Sequence, residues 1–289
     1  MTVAATPIVV TGATGHLGRL VVDSLLARGV APGDIVAIGR SAEKLAGVAS
    51  TGVRTAIADY SDRASLDAAF AGAGSLVLVS GSEVGQRVQQ HTNAIDAAVA
   101  AGVSRVVYTS APHATTSALV LAPEHKATEE YLASADVAST ILRNNWYTEN
   151  YAADVARSAA SGVLVSSTGD GRVASASRAD YADAVAAVLV TDGHEGAVYE
   201  LSGDVAWTYT DLAAAITEIT GKPVEWKNVS TEEHLAILTG AGLDEGTAGF
   251  VVALDGNIRD GLLAETSGDL ARLIGRPTTP LVEGLRAAV

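Results

Sequence analysis

The 289-residue chain has no cysteine, one methionine and few aromatics, 4% in all, and each shortage excludes something. Without cysteine there are no disulfides, no thiolate nucleophile and no thiolate metal site, so a cytoplasmic setting is expected. Basic residues are also scarce, nineteen Lys and Arg against thirty-three Asp and Glu, for a net charge of −14. That balance repels phosphate polymers and anionic bilayers, and the cations are scattered singly, so neither nucleic acid nor a membrane is an expected partner. No apolar run approaches the roughly 18–20 residues of a membrane span. The apolar stretch 1–10 lacks a cationic leader and runs into a glycine turn, so it reads as a strand and not as a signal peptide. The six histidines show no HExxH spacing, so no metal is expected, and the absence of a GxSxG elbow argues against a hydrolase of that type.

What is present is a strict alternation. Short runs rich in Val and Ile, at 8–11, 35–38, 54–58, 76–79 and 105–109, alternate with Ala-rich segments of helical period at 17–27, 42–49, 63–71 and 85–101. This is the pattern of βαβ units around a parallel sheet. A helix at 124–134, a strand at 139–142 and a helix at 149–160 continue it. Beyond residue 162 the order loosens into strands near 172–176 and 197–201 and helices near 211–219, 231–239 and 269–274. The expected fold is α/β: a Rossmann doubly wound parallel sheet over 1–150, then a smaller C-terminal α/β substrate lobe over 151–289, partly interleaved with the first sheet.

The first strand leads into Gly12, Ala13, Thr14, Gly15, His16, Leu17 and Gly18, a GxxGxxG turn opening a helix. Gly12 suits a tight turn, Gly15 close approach of the backbone to a pyrophosphate, and Gly18 close helix–strand packing. The helix N-terminus then offers unpaired N–H groups and partial positive charge to the diphosphate. An ordinary strand-to-helix turn has the same glycines, but the βαβ context favours a dinucleotide. After the second strand stands Arg40, where an NAD-preferring chain carries a carboxylate. A guanidinium there pairs with a 2′-phosphate and favours NADP(H), unless Arg40 only caps a loop. Asp59 and Tyr60, after the third strand, are candidates for adenine contact, with an N-cap role the competing reading.

Three segments together resemble a known family: the glycine turn, the run Ser80-Gly81-Ser82-Glu83-Val84-Gly85-Gln86-Arg87, and Leu142-Arg143-Asn144-Asn145-Trp146-Tyr147-Thr148-Glu149-Asn150-Tyr151. The chain is similar to the NmrA-like branch of the atypical short-chain dehydrogenases. Within it, the nearest likeness is to type 2 NAD(P)H:quinone oxidoreductases, and a more distant one is to triphenylmethane reductases. The likeness runs nearly end to end, through Ser175–Tyr181 and Leu273–Thr279, and the segment from Leu142 to Tyr151 is its most distinctive part. It implies that Gly12 to Gly18 and Arg40 hold the phosphates, that Ser80, Gly81 and Ser82 line the cofactor, and that Asn144, Trp146 and Tyr147 flank the nicotinamide. Taken without the resemblance, the two aromatics read equally well as core.

Most short-chain dehydrogenases place a proton-donating Tyr four residues before a Lys. Here Lys126 is in register, but the Tyr position is Ala122, so alcohol–ketone chemistry loses its acid and base. A quinone or cationic dye accepts hydride without that tyrosine, because aromatic or delocalised products need no dedicated donor. Ser110, His113 and Lys126 are the candidate catalytic groups, with Tyr108 and His125 nearby in sequence. Each has a plain structural reading: a hydroxyl bonded to backbone, solvated loop imidazoles, or a lysine paired with Glu129 or Glu130. The leading expectation is an NADPH-dependent reductase of a quinone-like small molecule. A non-catalytic NADP(H)-binding sensor that regulates a partner protein is the alternative, and an epimerase or dehydratase is disfavoured by the missing Tyr. A homodimer is common for such folds.

Overall fold

In a computed structural model, residues 6–83 and 85–289 are described, so the leader reading of the first five residues and Val84 of the family-like run lie outside them. From the amino end the elements are β1 (Ile8–Val10), α1 (His16–Ala27), β2 (Ile35–Gly39), α2 (Ala42–Ala49), β3 (Arg54–Ile57), α3 (Arg63–Phe70), β4 (Ser75–Leu78), α4 (Arg87–Ala100), β5 (Arg105–Ser110), α5 (Ala122–Ser134) and β6 (Ala138–Asn144). There follow α6 (Ala152–Ser161), β7 (Val163–Ser166), β8 (Arg172–Val173), α7 (Arg178–Val190), β9 (Val198–Leu201), β10 (Trp207–Thr208), α8 (Tyr209–Thr220) and β11 (Glu225–Asn228). The chain closes with α9 (Thr231–Gly240), α10 (Glu245–Arg259), α11 (Asp269–Ile274) and α12 (Leu281–Ala288).

Two units are built from these. The first takes the described residues through Thr115, Pro123–Asn144 and Arg178–Glu200; the second takes Thr116–Ala122, Asn145–Ser177 and Leu201–Val289. Where a boundary after residue 150 is expected, the chain leaves the first unit at Asn144, returns for α7 and the start of β9, and leaves again. The sheet order is β3-β2-β1-β4-β5-β6-β9, and the pairs from β3 through β6 are parallel. The strand order reverses between β1 and β4, the switch point outside which doubly wound sheets bind nucleotides. Every residue of β5 is buried, as a central parallel strand covered on both faces requires.

In the second unit, β11 pairs parallel with β7 and β10 antiparallel with β8. A capping box of Thr208 and Asp211 opens α8, and another of Ser230 and Glu233 opens α9. Asp255 is buried and accepts from His234 Nδ1 at 2.8 Å and from the Ser167 N–H at 2.6 Å, tying α9, α10 and the end of β7 together.

Expected elements recur with boundaries shifted by a residue or two, except that the segment at 149–160 begins as a 3₁₀ turn, Thr148–Tyr151, before α6. The strand expected at 172–176 is only Arg172–Val173. Helices α7, α10 and α12 and strands β7, β10 and β11 are absent from the sequence reading. The reason is clearest for α7, where Asp180, Tyr181, Ala182 and Ala184 to Val188 are all buried. A helix covered all round has no apolar stripe for periodicity to detect. It packs on α1, where the Ser24 hydroxyl donates to Asp183 at 2.6 Å.

Candidate functional site

The turn after β1 is built on glycine for steric reasons. Gly12 has φ +60°, which a side chain rarely tolerates, and the Gly15 N–H donates to Gly12 O at 2.9 Å. A Cβ on Gly18 would lie 2.3 Å from that same oxygen, so only glycine lets α1 start this close to the turn. A Cβ on Gly39 would lie 2.6 Å from Thr14 Cγ2, so the end of β2 also depends on glycine, a point the spacing pattern does not reveal. Ala13 and Leu17 are buried and anchor the turn, while Gly15 and His16 are exposed. The first turn of α1 has neither a side-chain cap nor an acidic residue, so its N–H groups face outward as an anion site needs. These uncapped donors, with no carboxylate in the first turn, suit a diphosphate by charge.

Around the turn, side chains from neighbouring strand ends converge. The Thr11 hydroxyl donates to Val77 O at 2.9 Å and accepts from the Val79 N–H at 3.0 Å. The Tyr60 hydroxyl reaches Thr11 Oγ1 at 2.6 Å and Val79 O at 2.7 Å, which braces β1 against β4, and burial raises its pKa. Asp59 accepts from the Ser61 N–H at 2.8 Å, a local turn cap, and Asp62 rather than Asp59 caps α3. Arg40 is largely exposed, and its Nη1 donates to Glu83 Oε1 at 2.8 Å and lies 3.9 Å from Asp59 Oδ2. The end of β2 itself carries no carboxylate, but two stand beside Arg40 in space. They are Glu83 and Asp59, each brought from another strand end.

The loop after β4 is held from behind. The Ser80 N–H donates to Thr109 Oγ1 at 3.0 Å, and Ser82 is exposed. The Gly81 N–H donates to His91 Nε2 at 3.0 Å, and Arg87 Nε donates to Gly81 O at 2.7 Å. Because Nε2 accepts, neutral His91 carries its proton on Nδ1 and donates it to Thr128 Oγ1 at 3.0 Å, which donates in turn to Glu124 O. Burial, with help from the neighbouring His125 and Arg87, pushes the His91 imidazole down to about 3. Glu124 completes the clamp, accepting from Arg87 Nη1 at 2.7 Å and from the Gly85 N–H at 2.8 Å. Neither His91 nor Glu124 stands out in the sequence, and Arg87, which closes the family-like run, shows no link there to Glu124, 37 residues on.

Past β5 and β6 the candidate proton donors separate. The Ser110 hydroxyl donates to Glu129 Oε1 at 2.5 Å, not to backbone. Glu129 also receives Arg143 Nη2 at 2.6 Å, and Arg143 Nη1 donates to Glu200 Oε1 at 2.8 Å, contacts that raise the Arg143 pKa. Glu200 accepts the His113 N–H at 3.0 Å and lies 3.3 Å from His113 Nδ1. His113 is the one described non-glycine residue with positive φ, +47°, and its side chain is more than a third exposed. Backbone strain of this kind persists where surrounding contacts over-determine it, here through Glu200. Lys126 lies on the open face of α5, 3.9 Å from Glu130. His125 is no solvated loop residue: it is buried, shares a 2.8 Å hydrogen bond with Tyr108, and burial pushes it down to about 3.

Asn144 ends β6, buried, in the first unit. Trp146 and Tyr147 belong to the second, both half-buried, where Tyr147 forms an isolated parallel bridge to Ala176. The Trp146 N–H donates to Asn145 Oδ1 at 2.7 Å, and Asn145 Nδ2 donates to Leu263 O at 3.2 Å. Among the described residues no helix is long and apolar enough to cross a membrane, and no group of three or more His, Asp or Glu could hold a metal ion.

A family model described as NAD(P)H-binding matches residues 12–192. The chain is 47% identical to quinone oxidoreductase 2 of Escherichia coli strain K12, over 96% of this chain and 97% of that one. The crystal structure of that NADPH-dependent oxidoreductase complexed with NADPH superposes with a TM-score of 0.93, covering 97% of this chain and 99% of the other. Triphenylmethane reductase of Citrobacter sp., complexed with NADP(H), is 38% identical with a TM-score of 0.92, covering 98% and 100%. An NmrA-like family domain-containing oxidoreductase of Aspergillus flavus is 28% identical over 96% of this chain and 93% of its own length.

Proposed function

The chain belongs to the NAD(P)H-binding NmrA-like family, and from that membership we propose that it is an NADPH-dependent reductase of quinone-like small molecules. The observation that carries this is the 47% identity to a quinone oxidoreductase along 96% of the chain. The relatives reported are named as reductases or oxidoreductases, which favours turnover over the non-catalytic sensor.

NADPH, when bound, supplies the hydride. This chain's residues bind and orient. The Gly12–Gly18 turn with the N–H groups of α1 would hold the diphosphate, Arg40 the 2′-phosphate, and Ser80 to Ser82 would line the dinucleotide on the surface that His91 and Arg87 brace. Asp59 sits beside Arg40, and the ring of Tyr60 remains the adenine-side candidate although its hydroxyl is bonded inward. Asn144, Trp146 and Tyr147 would flank the nicotinamide. Of the three proton-donor candidates, His113 fits best: Ser110 donates into Glu129 and Lys126 faces outward with Glu130, whereas the His113 ring is partly exposed and steered by Glu200. A homodimer in the cytoplasm completes the reading, on the habits of such folds and the absence of cysteine.

The test follows nicotinamide absorbance with purified protein, NADPH and, in turn, a benzoquinone, a naphthoquinone and a triphenylmethane dye, with uncatalysed blanks subtracted. Saturable, protein-dependent oxidation of NADPH by a quinone is expected. Tight NADPH binding with no acceptor turned over would restore the sensor.

A further inference from the structure

The bond between Arg40 and Glu83 has a position that its exposure disguises. Arg40 follows β2 and Glu83 lies in the loop after β4, and these two strands flank β1 on either side. The ion pair therefore joins the two loops adjoining the phosphate turn. Glu83 is not a casual rim partner. Its second oxygen accepts from Nε2 of Gln90, a buried side chain of α4, at 2.9 Å, and these bonds to Gln90 and Arg40 hold its carboxyl below the usual range. Asp59 approaches the same Arg40 nitrogen from β3.

The guanidinium thus points Nη1 at two carboxylates, while among the described residues its Nε and Nη2 edge makes no hydrogen bond. That open edge is the two-pronged face that phosphate prefers. Any phosphate placed there also meets the fields of Glu83 and Asp59, so one cation faces two anions before the ligand arrives. A ribose 2′-hydroxyl, which donates a hydrogen bond and carries no charge, meets no such penalty and finds acceptors instead.

We propose that Glu83 is a specificity-determining residue that restrains the preference for NADPH over NADH by holding Arg40 and repelling the 2′-phosphate. The inference rests on the reading that Arg40 receives that phosphate. Because the groups are exposed, the effect is modest: replacing the charge strengthens NADPH binding by roughly two- to fivefold, the range of an exposed ion pair.

The experiment titrates the full chain, Glu83→Gln, Arg40→Ala and the double variant with NADPH and with NADH, at low and at high salt. The proposal expects Glu83→Gln to tighten NADPH several-fold, to leave NADH unchanged or weaker, to lose the gain at high salt, and to gain nothing in the Arg40→Ala background. Weaker or unchanged NADPH binding in Glu83→Gln would overturn it and make Glu83 a positioning group for Arg40. Equal tightening of both dinucleotides would overturn it as well. If Arg40→Ala leaves the NADPH to NADH ratio unchanged, the reading beneath has failed. A changed ratio there with a silent Glu83→Gln means the inference alone has failed.

Discussion

His91 predicts an acid-sensitive fold, and one substitution removes its share of that sensitivity. In the folded chain its imidazole is held near 3, against an ordinary 6.5, because burial penalises the charged ring and the neighbouring His125 and Arg87 add to that penalty. A group depressed in this way binds fewer protons folded than unfolded between those two values. Stability is therefore full above about pH 6.5 and falls as pH drops toward 3. At pH 5 the difference between the two pKa values makes the unfolded state more favourable by about 2 kcal/mol through this one residue. Glutamine places an acceptor oxygen near the position of Nε2 and does not titrate, so His91→Gln keeps the Gly81 contact without the linkage. Urea unfolding of both proteins from pH 7.5 to 5 is the assay, with the free energies compared at each pH. The wild type is expected to lose about 2 kcal/mol more than the variant over that interval. Parallel curves would refute the reasoning, since His125, also depressed, contributes equally to both.

Two further outcomes follow from geometry. Gly18→Ala puts a methyl 2.3 Å from Gly12 O, so α1 must withdraw from the turn. The expected costs are about 1–3 kcal/mol of stability and a roughly tenfold loss of NADPH affinity, read by thermal melting and by fluorescence titration; wild-type affinity would show that the turn does not hold the cofactor. Arg143→Met leaves Glu129, one of the least exposed carboxylates, without its cation. A loss of about 3–5 kcal/mol in denaturant unfolding is expected, partly recovered in Arg143→Met with Glu129→Gln, and no recovery would mean that the guanidinium acts through packing and not charge.

The parts of this protein that were legible in the sequence are those decided by neighbours along the chain. The β-then-α order, the turn from Gly12 to Gly18 and the boundaries of α2 and α11 follow from period, caps and glycine spacing within a few residues. Helix α7 was illegible because its neighbours on every side come from elsewhere, which erases the amphipathic stripe. The donor candidates were named but could not be ranked, since Ser110 and His113 are distinguished only by partners 19 and 87 residues away.

What the sequence alone determined is therefore a nucleotide-binding sheet, a glycine turn and a cation at Arg40, all consequences of local backbone preference and residue type. Only the tertiary structure decided what surrounds them. It brought Glu83, 43 residues distant, and Asp59 to that cation, fixed the proton of His91 on Nδ1, and excluded water from His125. Charge interaction and desolvation depend on separation in space, and until the strands are ordered the chain leaves that separation undetermined.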